Sequence, residues 1–252
     1  MNTLVICSVL LLFAWHDILL KFSRVFNRRG WMAFSERETA HVVSLIVSIL
    51  RVYRGFSVQI DDRLGRGRLP PRFVLVSNHQ SMLDILMLIQ VFQGQKLRFV
   101  AKRELGAGIP FLSMILRTQG HCLIARRVDP AQAFHALDRF SRRCRLSGFD
   151  PVIFPEGTRA RDGEVKAFHS GGVRRIMAEE SIPIVVVAMD GGWRIATLKG
   201  IESSLKNSSY KIRIVGLLDA PKDKQEVSAA VAKSEELIRG AIGEMRRGAW
   251  RA

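Results

Sequence analysis

Two short segments combine side-chain types able to move a proton and to grip an anion. The first is Asn78-His79-Gln80-Ser81-Met82-Leu83-Asp84. An imidazole can take a proton from a hydroxyl near neutral pH, and a carboxylate beside it can fix its tautomer and stabilise the imidazolium. On a continuous helix His79 and Asp84 would sit about 140° apart. They can meet only if His79 lies in the turn ahead of the helix. Taken alone, the segment reads equally as an N-cap-rich turn with an incidental histidine. The second segment is Phe154-Pro155-Glu156-Gly157-Thr158-Arg159. An acid and a base on a tight glycine turn can hold a polyol hydroxyl and a phosphate together, the guanidinium through its planar fork. Alone it is a Pro/Gly turn with a surface ion pair.

Both segments follow short apolar runs, and the surrounding pattern explains how they are carried. From residue 73 onward strands and helices alternate, the sign of an α/β sheet. Phe73–Ser77, Leu97–Ala101, His121–Ile124, Asp150–Phe154 and Tyr210–Gly216 read as strands. Ile182–Ala188 is a continuous β-branched run, as expected of a strand covered on both faces. Met82–Phe92, Ile109–Arg117, Ala131–Leu146, Gly171–Glu180 and Glu226–Arg246 read as helices. Phe134, Leu137, Phe140 and Cys144 mark the inner face of the third, and Arg139, Arg142, Arg143 and Arg145 crowd its end. Groups that follow strands in an open α/β sheet gather at one edge, where such folds bind ligands.

The N-terminus is different in kind. Leu4–Leu20 is apolar except for Ser8, His16 and Asp17, and falls just short of the about 20 residues a spanning helix needs. No Lys or Arg precedes it and no A-x-A follows, so a cleaved signal peptide is not expected. Lys21, Arg24, Arg28 and Arg29 come next, a flank that stays cytoplasmic by the positive-inside rule. Ser35-Glu36-Arg37-Glu38 has the pattern of a capping box opening a second helix, with Val43, Ile46, Val47, Leu50 and Tyr53 at helical spacing. That helix either joins the first as an anchor in one leaflet or packs on the core; periodicity does not name the surface it buries. The Gly/Pro/Arg-rich stretch 61–72 reads as a loop and a boundary. The expected organisation is therefore 1–60, apolar membrane-associating helices, and 61–252, the domain carrying the chemistry.

Together NHQSMLD and FPEGTR resemble the glycerolipid acyltransferase family, the PlsC-like enzymes that acylate glycerol 3-phosphate or lysophosphatidate. Ala101-Lys102-Arg103-Glu104-Leu105 is similar to the family's A-K-x-E-L segment, and Ile182-Pro183-Ile184-Val185-Val186 to its apolar V-P-I-x-P-V-type strand. The resemblance covers residues from about 70 to 190 and implies an α/β fold with a mixed, largely parallel sheet flanked by helices. It makes His79 the general base on the acceptor hydroxyl and Asp84 its partner. It makes Glu156, Gly157, Thr158 and Arg159 the acceptor-binding turn, with Glu156 and Arg159 on the glycerol phosphate. Lys102 is implied as a phosphate neighbour. Gly120–Arg126 aligns with the family's G-x-I-F-I-D-R block, making Arg126 a phosphate contact, although Ala125 stands in the acidic place and Arg127 follows. Phe168-His169-Ser170-Gly171 replaces the family's F-K-x-G.

The implied reaction is direct acyl transfer from acyl-CoA or acyl carrier protein to the free hydroxyl of a lysophospholipid, with lysophosphatidate the leading acceptor and phosphatidate the product. Glycerol 3-phosphate or a non-phosphate lysolipid are the alternative acceptors, and a non-catalytic lipid-binding protein on the same fold is the alternative function. No metal and no cofactor beyond the co-substrate are required. A covalent route through Ser81 or Cys122 lacks the G-x-S-x-G elbow of a serine nucleophile and the electropositive setting of a reactive cysteine.

Composition agrees. The chain has 252 residues, with 39 Lys+Arg against 23 Asp+Glu for a formal net charge of +16, yet 48% of residues are hydrophobic. Disorder is excluded by that apolar content. Basic charge fits either nucleic acid or an anionic membrane surface. Aromatics at 8% are sparse for base stacking and no nucleic-acid motif is present, so the membrane surface is the expected partner. The expected location is membrane-associated, on the cytoplasmic face of the inner or an equivalent membrane. The three widely spaced cysteines, Cys7, Cys122 and Cys144, show no metal or disulfide spacing.

Overall fold

The structure, a computed structural model, describes residues 2–27, 29–62, 64–125, 129–196, 206 and 208–248. Helices α1 (Asn2–Phe26) and α2 (Trp31–Arg54) come first, followed by strand β1 (Ser57–Asp62). The chain then alternates through β2 (Val74–Ser77), α3 (Leu83–Val91), β3 (Leu97–Lys102), α4 (Leu112–Thr118), β4 (Cys122–Ile124), α5 (Pro130–Ser147), β5 (Asp150–Ile153), α6 (Ser170–Met177) and β6 (Ile184–Asp190). Strand β7 (Ser209–Leu218) and helix α7 (Lys224–Arg246) complete the described elements.

One seven-stranded sheet runs in the order β1-β7-β6-β2-β5-β3-β4. Every neighbouring pair is parallel except β6 with β7, which is antiparallel and carries a register shift between Val186 and Val187. The mixed, largely parallel sheet expected from the alternating pattern is present. Side chains alternate along each strand, so successive residues feed opposite layers. Phe73, Leu75, Val185 and Val187 face the layer built by α1 to α4. Val74, Val76, Ile184 and Val186 face the layer of α5, α6 and α7. Strand β6 is buried at all seven positions, which is why its sequence reads as an unbroken apolar run.

Two sequence expectations change, and of the two readings open for α2 one is met. Helix α2 starts at Trp31, not at a capping box over 35–38: Ser35 lies inside the helix, fully buried, and its hydroxyl donates to the Met32 carbonyl. Glu38 turns instead to His16 of α1, 2.5 Å away. The reading met is that α2 is a core helix along Val42, Val43, Ile46, Val47 and Leu50, all buried. Second, the sheet begins at Ser57, so the loop starts after Asp62 rather than at 61. The polar run Ser57–Asp62 is a strand because Asp61 meets Arg213 of β7 at 2.7 Å, and that wholly buried guanidinium also meets Glu244 of α7 at 2.7 Å.

The arginines of α5 are exposed, but on the layer opposite α1 and α2. They do not extend the basic flank of the apolar helix.

Candidate active site

Strands β2, β5, β6, β3 and β4 are mutually parallel, so their C-terminal ends share one edge of the sheet. His79 follows β2 and Glu156 follows β5, its neighbour. Because α3 begins only at Leu83, His79 lies in the turn ahead of the helix, the one arrangement in which it can reach Asp84. It does so: His79 Nδ1 stands 2.7 Å from Asp84 Oδ2.

Asp84 is wholly buried, and five donors converge on its carboxylate. Besides His79 they are the amides of Gln80 at 2.6 Å and Ser81 at 2.9 Å, the Ser81 hydroxyl at 3.1 Å and the Tyr210 hydroxyl at 2.5 Å. An acceptor so fully engaged leaves no place for a proton of its own, so Nδ1 carries the shared proton and Nε2 the lone pair. Nε2 makes no hydrogen bond among the described residues. The ring stacks on Phe154, with centroids 4.2 Å apart and planes 15° apart, which fixes its orientation. Burial, together with the Asp84 charge, holds the Tyr210 phenol well above its ordinary range, so Tyr210 stays a donor.

The two motifs are laced together through the backbone of His79. Its N–H donates to Glu156 Oε1 at 2.7 Å, and its carbonyl accepts from the Ala160 N–H at 2.7 Å. Glu156 Oε2 accepts from the Lys166 N–H at 3.1 Å. Burial pushes the Glu156 carboxyl above its ordinary range, against the two amides that pull it down. The visible task of Glu156 is thus to hold the His79 loop, both oxygens being spent on backbone amides. Gly157, at φ 66, turns the chain just after it. Thr158 is exposed and Arg159 half-buried; the Arg159 guanidinium makes no hydrogen bond or ion pair among the described residues.

Lys102 ends β3 at the same edge and is exposed, two strands or about 10 Å from β2. Arg126, like Arg127, lies outside the described residues; β4 ends two positions before it.

Three residues of this site went unread in the sequence. Tyr210 comes from β7, far along the chain, and no local pattern distinguishes it from a core strand residue. Asn78 ties the turn to β6: its amide group donates to the Met189 carbonyl and its oxygen accepts from the Met189 N–H, both at 2.8 Å. Gly192 leaves no space for a side chain, since a Cβ there would stand 2.9 Å from Ser81 Oγ and 3.0 Å from Asp84 Oδ1. Neither covalent candidate faces the base. Ser81 Oγ donates to Asp84 and accepts from the Leu83 N–H, so it is held within the turn. Cys122 is buried and its thiol pushed up to about 11.

An apolar cavity of about 640 Å³ reaches Met82 at the end of the His79 turn; none of His79, Asp84, Glu156 or Arg159 lines it. Met82 just before α3, Leu86 and Ile89 of α3, Ile46 of α2, Phe13 of α1 and Ile115 of α4 are among its walls.

His79, Asp84, Glu156 and Arg159 fall within a match to known proteins. A family model described as Acyltransferase matches residues 62–190. The chain is 27% identical over 209 residues to a chloroplastic 1-acyl-sn-glycerol-3-phosphate acyltransferase of Brassica napus, covering 83% of this chain and 56% of that protein. It is 29% identical over 156 residues to the human 1-acyl-sn-glycerol-3-phosphate acyltransferase alpha, covering 61% of this chain and 53% of that one. The matched part thus spans about half the length of these curated relatives. The crystal structure of the 1-acyl-sn-glycerophosphate acyltransferase PlsC of Thermotoga maritima superposes with a TM-score of 0.70 over 98% of both chains, at 19% identity. At that identity the likeness is one of fold.

Proposed function

The chain belongs to the acyltransferase family, and from that premise we propose that it transfers a fatty acyl group from a thioester to the free hydroxyl of lysophosphatidate, giving phosphatidate. The observation that carries this reading is His79: Nδ1 tied to a buried carboxylate at 2.7 Å and Nε2 without a partner among the described residues, in a turn whose Met82 walls an apolar cavity. Nε2 takes the proton of the acceptor hydroxyl as its oxygen attacks the thioester carbonyl. Asp84 stabilises the imidazolium that forms, and the imidazolium returns the proton to the departing thiolate. Arg159, Lys102 and Arg126 serve the acceptor phosphate, while Glu156, Gly157 and Thr158 shape the turn that presents it. The acyl chain lies in the apolar cavity, where each buried methylene contributes about 0.8 kcal/mol. The donor is acyl-CoA or acyl carrier protein.

Helix α1 seats the site at a membrane, while α2 packs on the core and β1 joins the sheet of the domain that carries the acyl transfer. Among the described residues one helix, Thr3–Phe26, is long and apolar enough to cross a bilayer. A stripe through Val5, His16, Asp17 and Leu20 packs against the protein along its length, while Leu11, Trp15, Ile18, Phe22 and Phe26 are exposed. A helix accompanied by its domain along one whole side is suited to lying in one leaflet, with the basic flank on the cytoplasmic face.

The test is a panel of acceptors (lysophosphatidate, glycerol 3-phosphate and lysophosphatidylcholine) offered with each donor type to the purified full chain, with products identified by mass. Phosphatidate formed with the highest kcat/KM is the expected result. A preference for glycerol 3-phosphate, or no product from any pair, would overturn the assignment.

A further inference from the structure

A second cavity, of about 900 Å³, lies between the C-terminal half of α1, α4 and the loop 108–110. It shares no lining residue with the apolar cavity that reaches Met82, and none of His79, Asp84, Glu156 or Arg159 lines it. Its walls carry three cations, Lys21, Arg24 and Arg117, and one acid, Asp17. The acid is already engaged: it pairs with Lys21 at 2.6 Å and accepts from the Phe111 N–H at 2.8 Å. The Arg117 side chain makes no hydrogen bond or ion pair among the described residues. Arg24 lies over the Trp31 ring, 5.5 Å from its centroid, and that ring is pinned by its indole N–H donating to the Leu20 carbonyl at 3.2 Å. The cavity therefore holds an excess of positive charge on a fixed aromatic wall.

Its position identifies the occupant. The exposed apolar stripe of α1 runs through Trp15, Ile18 and Phe22 and ends at Val25, itself a wall of the cavity. A molecule with hydrocarbon along that stripe would bring its polar end to Arg24, Lys21 and Arg117. Free phosphate would match the charges but leave the apolar walls Val25, Trp31 and Met114 bare. We propose that this cavity binds the headgroup of an anionic bilayer phospholipid, at a site separate from the acyl-transfer centre. The proposal rests on the reading of α1 as a membrane-seated helix, and it gives that helix a chemical preference as well as an apolar face.

The experiment is flotation of the full chain with vesicles of phosphatidylcholine alone and of phosphatidylcholine doped with phosphatidylserine. The double variant Arg24→Gln with Arg117→Gln is compared with Arg142→Gln with Arg143→Gln, which removes the same charge from exposed positions on the opposite layer. Each basic group beside an anionic surface is worth about a fivefold change in partition, so the first pair is expected to lose about twenty-five-fold on doped vesicles. The second pair is expected to lose less than about threefold, by screening over a Debye length. Thermal melts and turnover of lysophosphatidate in detergent micelles should match wild type for both pairs. Equal losses in the two pairs would mean diffuse attraction and overturn the site. So would vesicle binding left unchanged in the first pair while its binding of inorganic phosphate in solution is lost, which would make the ligand free phosphate. Binding to doped and undoped vesicles alike would overturn this proposal and leave the membrane-seated helix standing. Failure to bind either vesicle would take down both.

Discussion

Glu156→Gln separates two roles for the acid of the FPEGTR turn. In the resemblance this residue holds the acceptor; in the structure its oxygens take the N–H groups of His79 and Lys166 at 2.7 and 3.1 Å. A glutamine keeps the shape but offers one oxygen and one NH₂, so if it serves His79 it meets the Lys166 N–H donor to donor. Hydrogen bonds to a charged group contribute about 1.5–3 kcal/mol, and relief of the buried charge offsets part of that, leaving an expected stability loss of about 1–2 kcal/mol. The rate consequence is larger, because a misplacement of about 1 Å at a catalytic base can cost about a hundredfold. The expected outcome is a kcat lowered about ten- to a hundredfold, with KM for lysophosphatidate changed less than about twofold. The melting temperature adds a second signature. Burial raises the Glu156 carboxyl above its ordinary value of 4.5, so the folded chain keeps this proton where the unfolded chain has lost it. Stability from this group is therefore lost as pH rises from the ordinary value through the raised one, and the variant lacks that loss. The melting temperature of wild type relative to the variant should fall across that window. An increase in KM with kcat and the melting profile unchanged would refute the positioning role and restore direct contact with the acceptor.

Other outcomes follow from the same geometry. Tyr210→Phe removes the hydroxyl 2.5 Å from Asp84 and should lower kcat about tenfold with little change in KM, measured by steady-state kinetics; unchanged kcat would remove Tyr210 from the network. Gly192→Ala forces a methyl to within 3.0 Å of Asp84 and Ser81, an overpacking cost of about 1–3 kcal/mol, and should lower both melting temperature and kcat. Ile89→Trp fills part of the apolar cavity and should shift preference toward shorter acyl thioesters in a mixed-donor competition; an unchanged chain-length profile would place the acyl chain elsewhere.

Much of the site was legible because its chemistry is local. Once a strand ends at Ser77 and the helix starts after Met82, His79 and Asp84 have one way to meet, and they do. The unbroken run in β6 likewise marked a central strand from its residues alone. What escaped depends on partners distant in sequence. Strand β1 has a polar sequence whose buried Asp61 makes sense only beside Arg213. The pattern at Ser35–Glu38 matched a capping box, but Ser35 is buried and accepts from the Gln119 amide while Glu38 reaches back to α1. Tyr210 and Gly192 are unremarkable in their own segments and matter through what β6 and β7 bring against Asp84. The α5 arginines showed charge but not which side of the sheet it occupies.

The central claim is that His79, held by Asp84, is the base that activates the acceptor hydroxyl. The measurement is thioester consumption by the purified full chain with lysophosphatidate and acyl donor, wild type beside His79→Ala, with melting curves to show both are folded. Turnover that depends on lysophosphatidate, falling at least about a hundredfold in a folded His79→Ala, is the expected result. Wild-type turnover no greater than that of the variant would contradict it.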